Sequence, residues 1–178
     1  MCKDCISNPV YEFTNKRKLC RRCFIKYFQK KVLYTIRKFK LLGKGDIVYS
    51  TDPFMKELLS LFEDKGIIEL TKNKKKATKI IVNDSIDDNS DKIIHLLIKG
   101  KLEKNNRLSP IDGKIIKPFY LFLDDEIQLY AKLKKIKLDK KFKPDKISVF
   151  IESLEKKHPE VKRAIVNSYL ELFLLNPV

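Results

Sequence analysis

Four cysteines, all within the first 23 residues, constrain this chain more than any other feature of its sequence. They stand as Cys2-x-x-Cys5 and Cys20-x-x-Cys23, with fourteen residues between the pairs. A C-x-x-C knuckle curls so that its two thiolates point the same way, and two knuckles complete a tetrahedron around one ion. Four thiolates leave no position open for water, so the expected role is structural and the expected ion is Zn²⁺. An iron–sulfur cluster and redox-active thiols are the other readings of such a set. Lys3, Lys18, Arg21 and Arg22 stand close in sequence and would offset the negative charge of a four-thiolate centre. The start of the chain has no apolar stretch like a signal peptide, and no run reaches the roughly 18–20 apolar residues of a membrane span. A cytoplasmic, reducing setting with no membrane partner is therefore expected, and disulfides are not.

Charge narrows the partner. The 178 residues carry 39 Lys and Arg against 23 Asp and Glu, a formal net charge of +16. Such an excess suits a polyanion, nucleic acid first. It is concentrated after the cysteines: Lys16 to Lys44 holds 12 basic residues, and no acidic residue lies between Glu12 and Asp46. Within this run Ile25, Phe28, Val32, Ile36 and Phe39 recur at three- and four-residue spacing, which predicts a helix over 23–42 with one apolar stripe. The RNA-binding candidates are Lys16, Arg17, Lys18, Arg21, Arg22, Lys26, Lys30, Lys31, Arg37, Lys38 and Lys40. They suit a phosphate backbone, with binding that weakens as salt rises. Tyr27 and Tyr34 are expected to serve the core rather than to stack on bases.

Past Gly43 short apolar runs alternate with amphipathic stretches. Strands are expected at 46–50, 67–71, 79–82 and 115–119, and helices at 53–64, 87–99, 124–135, 146–157 and 160–174. That alternation predicts an α/β domain with a mainly parallel sheet flanked by helices. The division is then 1–43, a cysteine module with its basic helix, and 44–178, the α/β body. The link between the second and third of these strands, "KNKKKA", is short for a crossover and leaves their mutual direction open. At the first strand-to-helix junction, Ser50-Thr51-Asp52-Pro53, Asp52 suits an N-cap and Pro53 the first helical turn. Pro53 lacks an N–H, Asp52 brings a carboxylate, and no glycine is present. The turn should cap a helix and hold phosphate badly. Asp87 and Asp88 complement a helix dipole. His95, inside an apolar helical run, is expected in the core, and His158 in a bend between helices.

The order of these parts resembles the TtuA-type tRNA 2-thiouridine synthetases of the PP-loop superfamily. "MCKDC" through "CRRCFIKYFQKKVLYTIRKFKLLGKGD" is similar to their N-terminal LIM-like zinc module and following helix. "IVNDSIDDNSDKIIHLLIKGKLEKNNRLSP" resembles their segment centred on Gly-His-Asn-x-Asp-Asp, with Asp87 and Asp88 as the retained acidic pair. "IIKPFYLFLDDEIQLYAKLKKI" resembles their Lys-Pro-Leu strand and next helix, and "FIESLEKKHPEVKRAIVNSYLEL" the helical pair after it. The resemblance implies a PP-loop-like, adenine nucleotide alpha hydrolase-like domain and a role in tRNA thiolation.

The departures from the family shape the expected function. Catalytic members carry Ser-Gly-Gly-x-Asp-Ser after the first strand to grip ATP, where this chain has the degenerate loop Ser50, Thr51, Asp52 and Pro53. They also use cysteines of the catalytic domain for an iron–sulfur cluster or for sulfur transfer, and none follows Cys23. The stretch from Phe62 to Lys79 is short for the family's intervening elements, and the family's C-terminal zinc module is not found. The resemblance therefore implies a shortened, degenerate member binding structural zinc, with neither ATP nor an iron–sulfur cluster expected. Its partners would be tRNA or other RNA, an active thiolase, or a second copy of itself. A minimal thiolase borrowing a partner's chemistry, and a zinc-ribbon interaction module, are the alternatives.

Overall fold

The computed structural model describes residues 1–102, 106–138 and 146–175. The cysteine region folds as a small antiparallel hairpin, β1 (Pro9–Glu12) and β2 (Lys18–Cys20), which runs directly into α1 (Arg21–Lys38). The body follows as β3 (Asp46–Tyr49), α2 (Pro53–Glu63), β4 (Ile68–Thr71), β5 (Lys79–Ile81), α3 (Ile86–Ile98), β6 (Ile111–Asp112), β7 (Ile115–Ile116), α4 (Asp124–Lys134), α5 (Lys146–Lys157) and α6 (Val161–Leu170). A π-helical turn, Glu171–Leu175, continues α6.

One five-stranded sheet carries the body in the order β4-β3-β5-β7-β6. β4, β3, β5 and β7 are parallel, and only β6 runs against its neighbour β7. The α/β class with a mainly parallel sheet is thus the one observed. The short 72–78 link is resolved by register. Thr71 stands opposite Tyr49 while Lys79 stands opposite Val48, so the chain retreats only about one position along β3 while stepping over it. Two strand spacings are about 10 Å, well within the reach of seven residues. Thr78 fixes the landing: its N–H donates to the Ile47 carbonyl at 2.9 Å and its hydroxyl to Asp46 at 2.7 Å.

The apolar stripe of α1 is Phe24, Phe28, Val32 and Ile36, each at most 4% exposed, with Thr35 beside them. Phe39 and Ile25, expected in that stripe, are only partly buried. Phe28 stacks on Tyr130 of α4 at 4.1 Å and lies edge-on or tilted against Phe54, Phe119 and Phe122. Residues on both sides of position 43 share this core, into which α2 adds Phe54, Met55, Leu58 and Leu59. A second core joins Ile86 and Ile93 of α3 to Val166, Tyr169 and Leu170 of α6, with Tyr120 between them. Among the described residues, no helix is long and apolar enough to cross a membrane.

Candidate functional site

The cysteines meet because a hairpin and a helix end bring them together. The Cys2 N–H donates to the Ser7 carbonyl, curling the first knuckle, and the Lys3 N–H donates to Lys18 across to β2. Cys20 closes β2 and is the N-cap of α1, which puts Cys23 in the first helical turn. The unsatisfied amides of a helix start favour negative charge there, which suits thiolates. All four Sγ atoms lie within 4.8 Å of one another, with Cys5 3.4 Å from Cys20 and 3.9 Å from Cys23. A tetrahedral ion with metal–sulfur bonds near 2.3 Å places its thiolates about 3.8 Å apart, so the donor set and its spacing fit one ion. Four thiolates are also the donor set of a 4Fe–4S cluster.

The four thiols differ in acidity. Hydrogen bonds from the Ser7 backbone and side chain bring Cys5 down to about 6. Cys23 is pushed up to about 12, first by its contact with Cys20 and then by burial. Burial opposes ionisation of Cys2, but backbone N–H groups outweigh it and hold that thiol below its ordinary value.

Beside the cysteines a groove of about 750 Å³ runs along α1, and Arg22, Lys26, Lys30 and Tyr34 line its outer wall. Cations at the hairpin end are partly matched. Arg17 pairs with Asp4 at 3.4 Å, and Lys16 and Lys18 both reach Glu12. Lys31 is drawn inward. Its ammonium lies 2.6 Å from Glu126, a carboxylate with no solvent exposure that also accepts from the Tyr27 hydroxyl at 2.8 Å. Burial, partly countered by Glu126, lowers Lys31 to about 8. Lys31 is therefore a structural cation rather than an outward one, which corrects its place among the RNA-binding candidates. Arg21 is exposed and donates to the Leu133 carbonyl at 2.7 Å. Arg22, Lys26, Lys30, Arg37, Lys38 and Lys40 point outward on or just past α1. Tyr27 is half-buried and packs against the core, which is the side expected of it. Tyr34 is not: it is 56% exposed, with the Lys38 ammonium 5.8 Å from its ring centre.

The junction from β3 to α2 is closed upon itself. Asp52 caps α2 by accepting from the Phe54 N–H at 2.8 Å, and it also receives the Asn83 amide. The Asp52 N–H is taken by the Ser50 hydroxyl at 3.3 Å, Ser50 itself being buried, and Pro53 has no N–H. An anion site needs several free amides converging on one point; here the Asp52 amide is taken by the Ser50 hydroxyl and the Phe54 amide by the Asp52 carboxylate. The adjoining cavity, about 400 Å³, is lined by three carboxylates, Asp52, Asp84 and Asp88, over a floor of Phe54, Phe119 and Ile127.

Asp87 and Asp88 are engaged in the fold. Asp88 forms a reciprocal capping box with Ser85 at the start of α3. Asp87 pairs with Lys162 at 2.6 Å and accepts from the Asp124 N–H at 2.8 Å. Sequence reasoning missed Lys117, which follows β7 and is only 3% exposed. Its ammonium donates to the Arg107 carbonyl at 2.7 Å and to Asn89 at 3.3 Å, and pairs with Asp84 at 3.0 Å. Burial alone would raise Asp84, but Lys92 and Lys117 reverse this and hold it below its ordinary value. The signal for Lys117 was the Lys-Pro pair after an apolar run, which marks a position but not its burial. His95 is half-buried at the C-terminal end of α3.

No protein-family model and no curated protein matches this sequence. Among solved structures, the U34-tRNA thiolase NcsA from Methanococcus maripaludis, with its 4Fe–4S cluster, is similar over 99% of this chain and 88% of that chain. The TM-score is 0.76 at 19% sequence identity, a likeness of fold. It corrects one expectation. This chain was expected to hold no iron–sulfur cluster, and that expectation does not stand beside a thiolase of the same fold that carries one.

Proposed function

We propose that this chain is a tRNA-binding protein related to tRNA thiolation that does not itself activate RNA with ATP. The observation that carries this reading is the closed junction at Ser50–Phe54. It keeps a strand-turn-helix arrangement, but its Asp52 amide is taken by Ser50, its Phe54 amide by the Asp52 carboxylate, and Pro53 has no N–H to offer. The thiolase-like fold supports tRNA as the ligand, and the net charge of +16 supports an anionic partner. Arg22, Lys26, Lys30, Arg37, Lys38 and Lys40, all exposed, would supply the phosphate contacts. Each contact releases a counterion, and six of them give a slope of log K against log salt between about −4 and −5. The four cysteines would hold one tetrahedral ion, zinc by the close spacing of their thiolates, fixing the hairpin to the start of α1.

The test combines three measurements on the metal-loaded protein. Fluorescence anisotropy against a tRNA transcript at several salt concentrations should give the steep slope. Isothermal titration with Mg-ATP should give no heat of binding, and incubation with ATP and a sulfide donor should leave the transcript unthiolated. Tight ATP binding, or thiolated product formed by the chain alone, would overturn the non-catalytic reading. Elemental analysis decides the ion: one zinc per chain is expected at the four cysteines.

A further inference from the structure

We propose that the groove beside the cysteines takes a stretch of unpaired RNA, stacking one base on Tyr34 while Arg22, Lys26 and Lys30 hold its phosphates. This rests on the RNA-binding reading above and adds the form of RNA the site accepts. The argument starts from the helix. Positions 22, 23, 26, 27, 30, 31 and 34 recur at three- and four-residue spacing, so their side chains share one face of α1. Of these, Tyr27 and Lys31 turn into the wall and are bound by Glu126. Arg22, Lys26 and Lys30 remain outward along the groove, and Tyr34 ends the row.

Among the described residues, no aromatic ring packs against Tyr34. The other aromatics of α1 pack ring against ring, Phe24 and Phe28 in the core and Tyr27 against its edge. Tyr34 lies 56% exposed within a row of cations. Lys38 sits near its ring at 5.8 Å, and Lys30 lies one turn before it. An exposed ring flanked by phosphate-binding cations is the arrangement that binds single strands, because every base has a face to stack. A duplex hides those faces and could use only the cations. The span from Arg22 to Tyr34, twelve residues of helix, is about 18 Å, enough for up to about five stacked nucleotides at ~3.4 Å each.

The chain has no tryptophan, so Tyr34→Trp installs a single reporter at the proposed stacking point. Saturating this variant with a seven-nucleotide single-stranded RNA should quench its tryptophan emission, and a blunt RNA duplex should leave that emission unchanged. Tyr34→Ala, at an exposed position, should weaken single-strand binding by about 5- to 150-fold, the measured range for one base stack, and duplex binding less than twofold. Lys26→Ala with Lys30→Ala should weaken both ligands. A deoxyribose oligomer of the same sequence tests whether the sugar is read, and equal affinity would still support stacking. Emission unchanged with bound RNA, or equal losses for single strand and duplex in Tyr34→Ala, would overturn the inference while leaving RNA binding intact. Absence of RNA binding to the unaltered protein would overturn both.

Discussion

Replacing Glu126 with Gln tests whether one buried carboxylate holds α1 to the rest of the body. Glu126 has no solvent exposure, and its partner Lys31 is 13% exposed. Oε1 accepts from the Tyr27 hydroxyl at 2.8 Å and from Lys31 at 2.9 Å; Oε2 accepts from Lys31 at 2.6 Å and from the Leu123 N–H at 2.9 Å. Arg163 lies 3.8 Å away. A glutamine keeps the size of the side chain but turns one oxygen into a donor. Whichever oxygen is replaced, an NH₂ then faces the Lys31 ammonium, and that cation is left without a counter-charge. Removing one partner of a buried pair costs about 3–5 kcal/mol, a large share of the roughly 5–15 kcal/mol that keeps a domain folded. For a chain of this size that is a fall in melting temperature of roughly 6–20 °C. Urea unfolding of the metal-loaded protein, followed by circular dichroism, reads the change directly. Lys31→Met added to Glu126→Gln should recover at least half of the loss, because an uncharged neighbour no longer needs the carboxylate. A single-variant loss below about 1 kcal/mol, or a double variant showing the full sum of both losses, would refute the account of Glu126 as the tie between α1, α4 and α6.

Three further outcomes follow from the same structure. Phe28→Ala should cost about 3–5 kcal/mol in urea unfolding, since the ring stacks on Tyr130 and is wholly buried among Phe54, Phe119 and Phe122. Metal affinity should rise with pH across neutrality and fall in acid, because loading the site displaces the proton of Cys23, whose thiol is pushed up to about 12; competition with a chromophoric chelator at pH 6, 7 and 8 measures it. Lys117→Met should destabilise by about 2–4 kcal/mol and flatten the acid limb of stability. Asp84 is held below its ordinary value by Lys92 and Lys117. Its contribution is therefore fully present above the unfolded carboxylate pKa and is lost as pH falls through the folded one. Without Lys117 less remains to be lost, which a stability series from pH 6 to pH 3 will show.

Features governed by near neighbours were readable from the chain itself. The C-x-x-C spacing marked four residues that the structure brings within 4.8 Å. Asp52 and Pro53 announced the start of α2 because an N-cap is decided within three residues. Strand and helix order gave the α/β class for the same reason. Strands β1 and β2 were not foreseen. They are three or four residues long, and β1 is mostly exposed, so no apolar alternation marks them. The direction of β5 also needed the fold, since it depends on register against β3 rather than on the length of "KNKKKA".

Which charges and rings face outward was settled only in three dimensions. Lys30 and Lys31 are adjacent in sequence, yet one is exposed and the other is bound to a carboxylate 95 positions away. Tyr27 and Tyr34 share a helix face and differ because only Tyr27 lies within reach of Glu126. Lys117 is buried because Asp84, Asn89 and Arg107 converge on it. Local rules reach about one helical turn. A charge, by contrast, has its solvation and its partner decided by whatever the whole fold packs beside it.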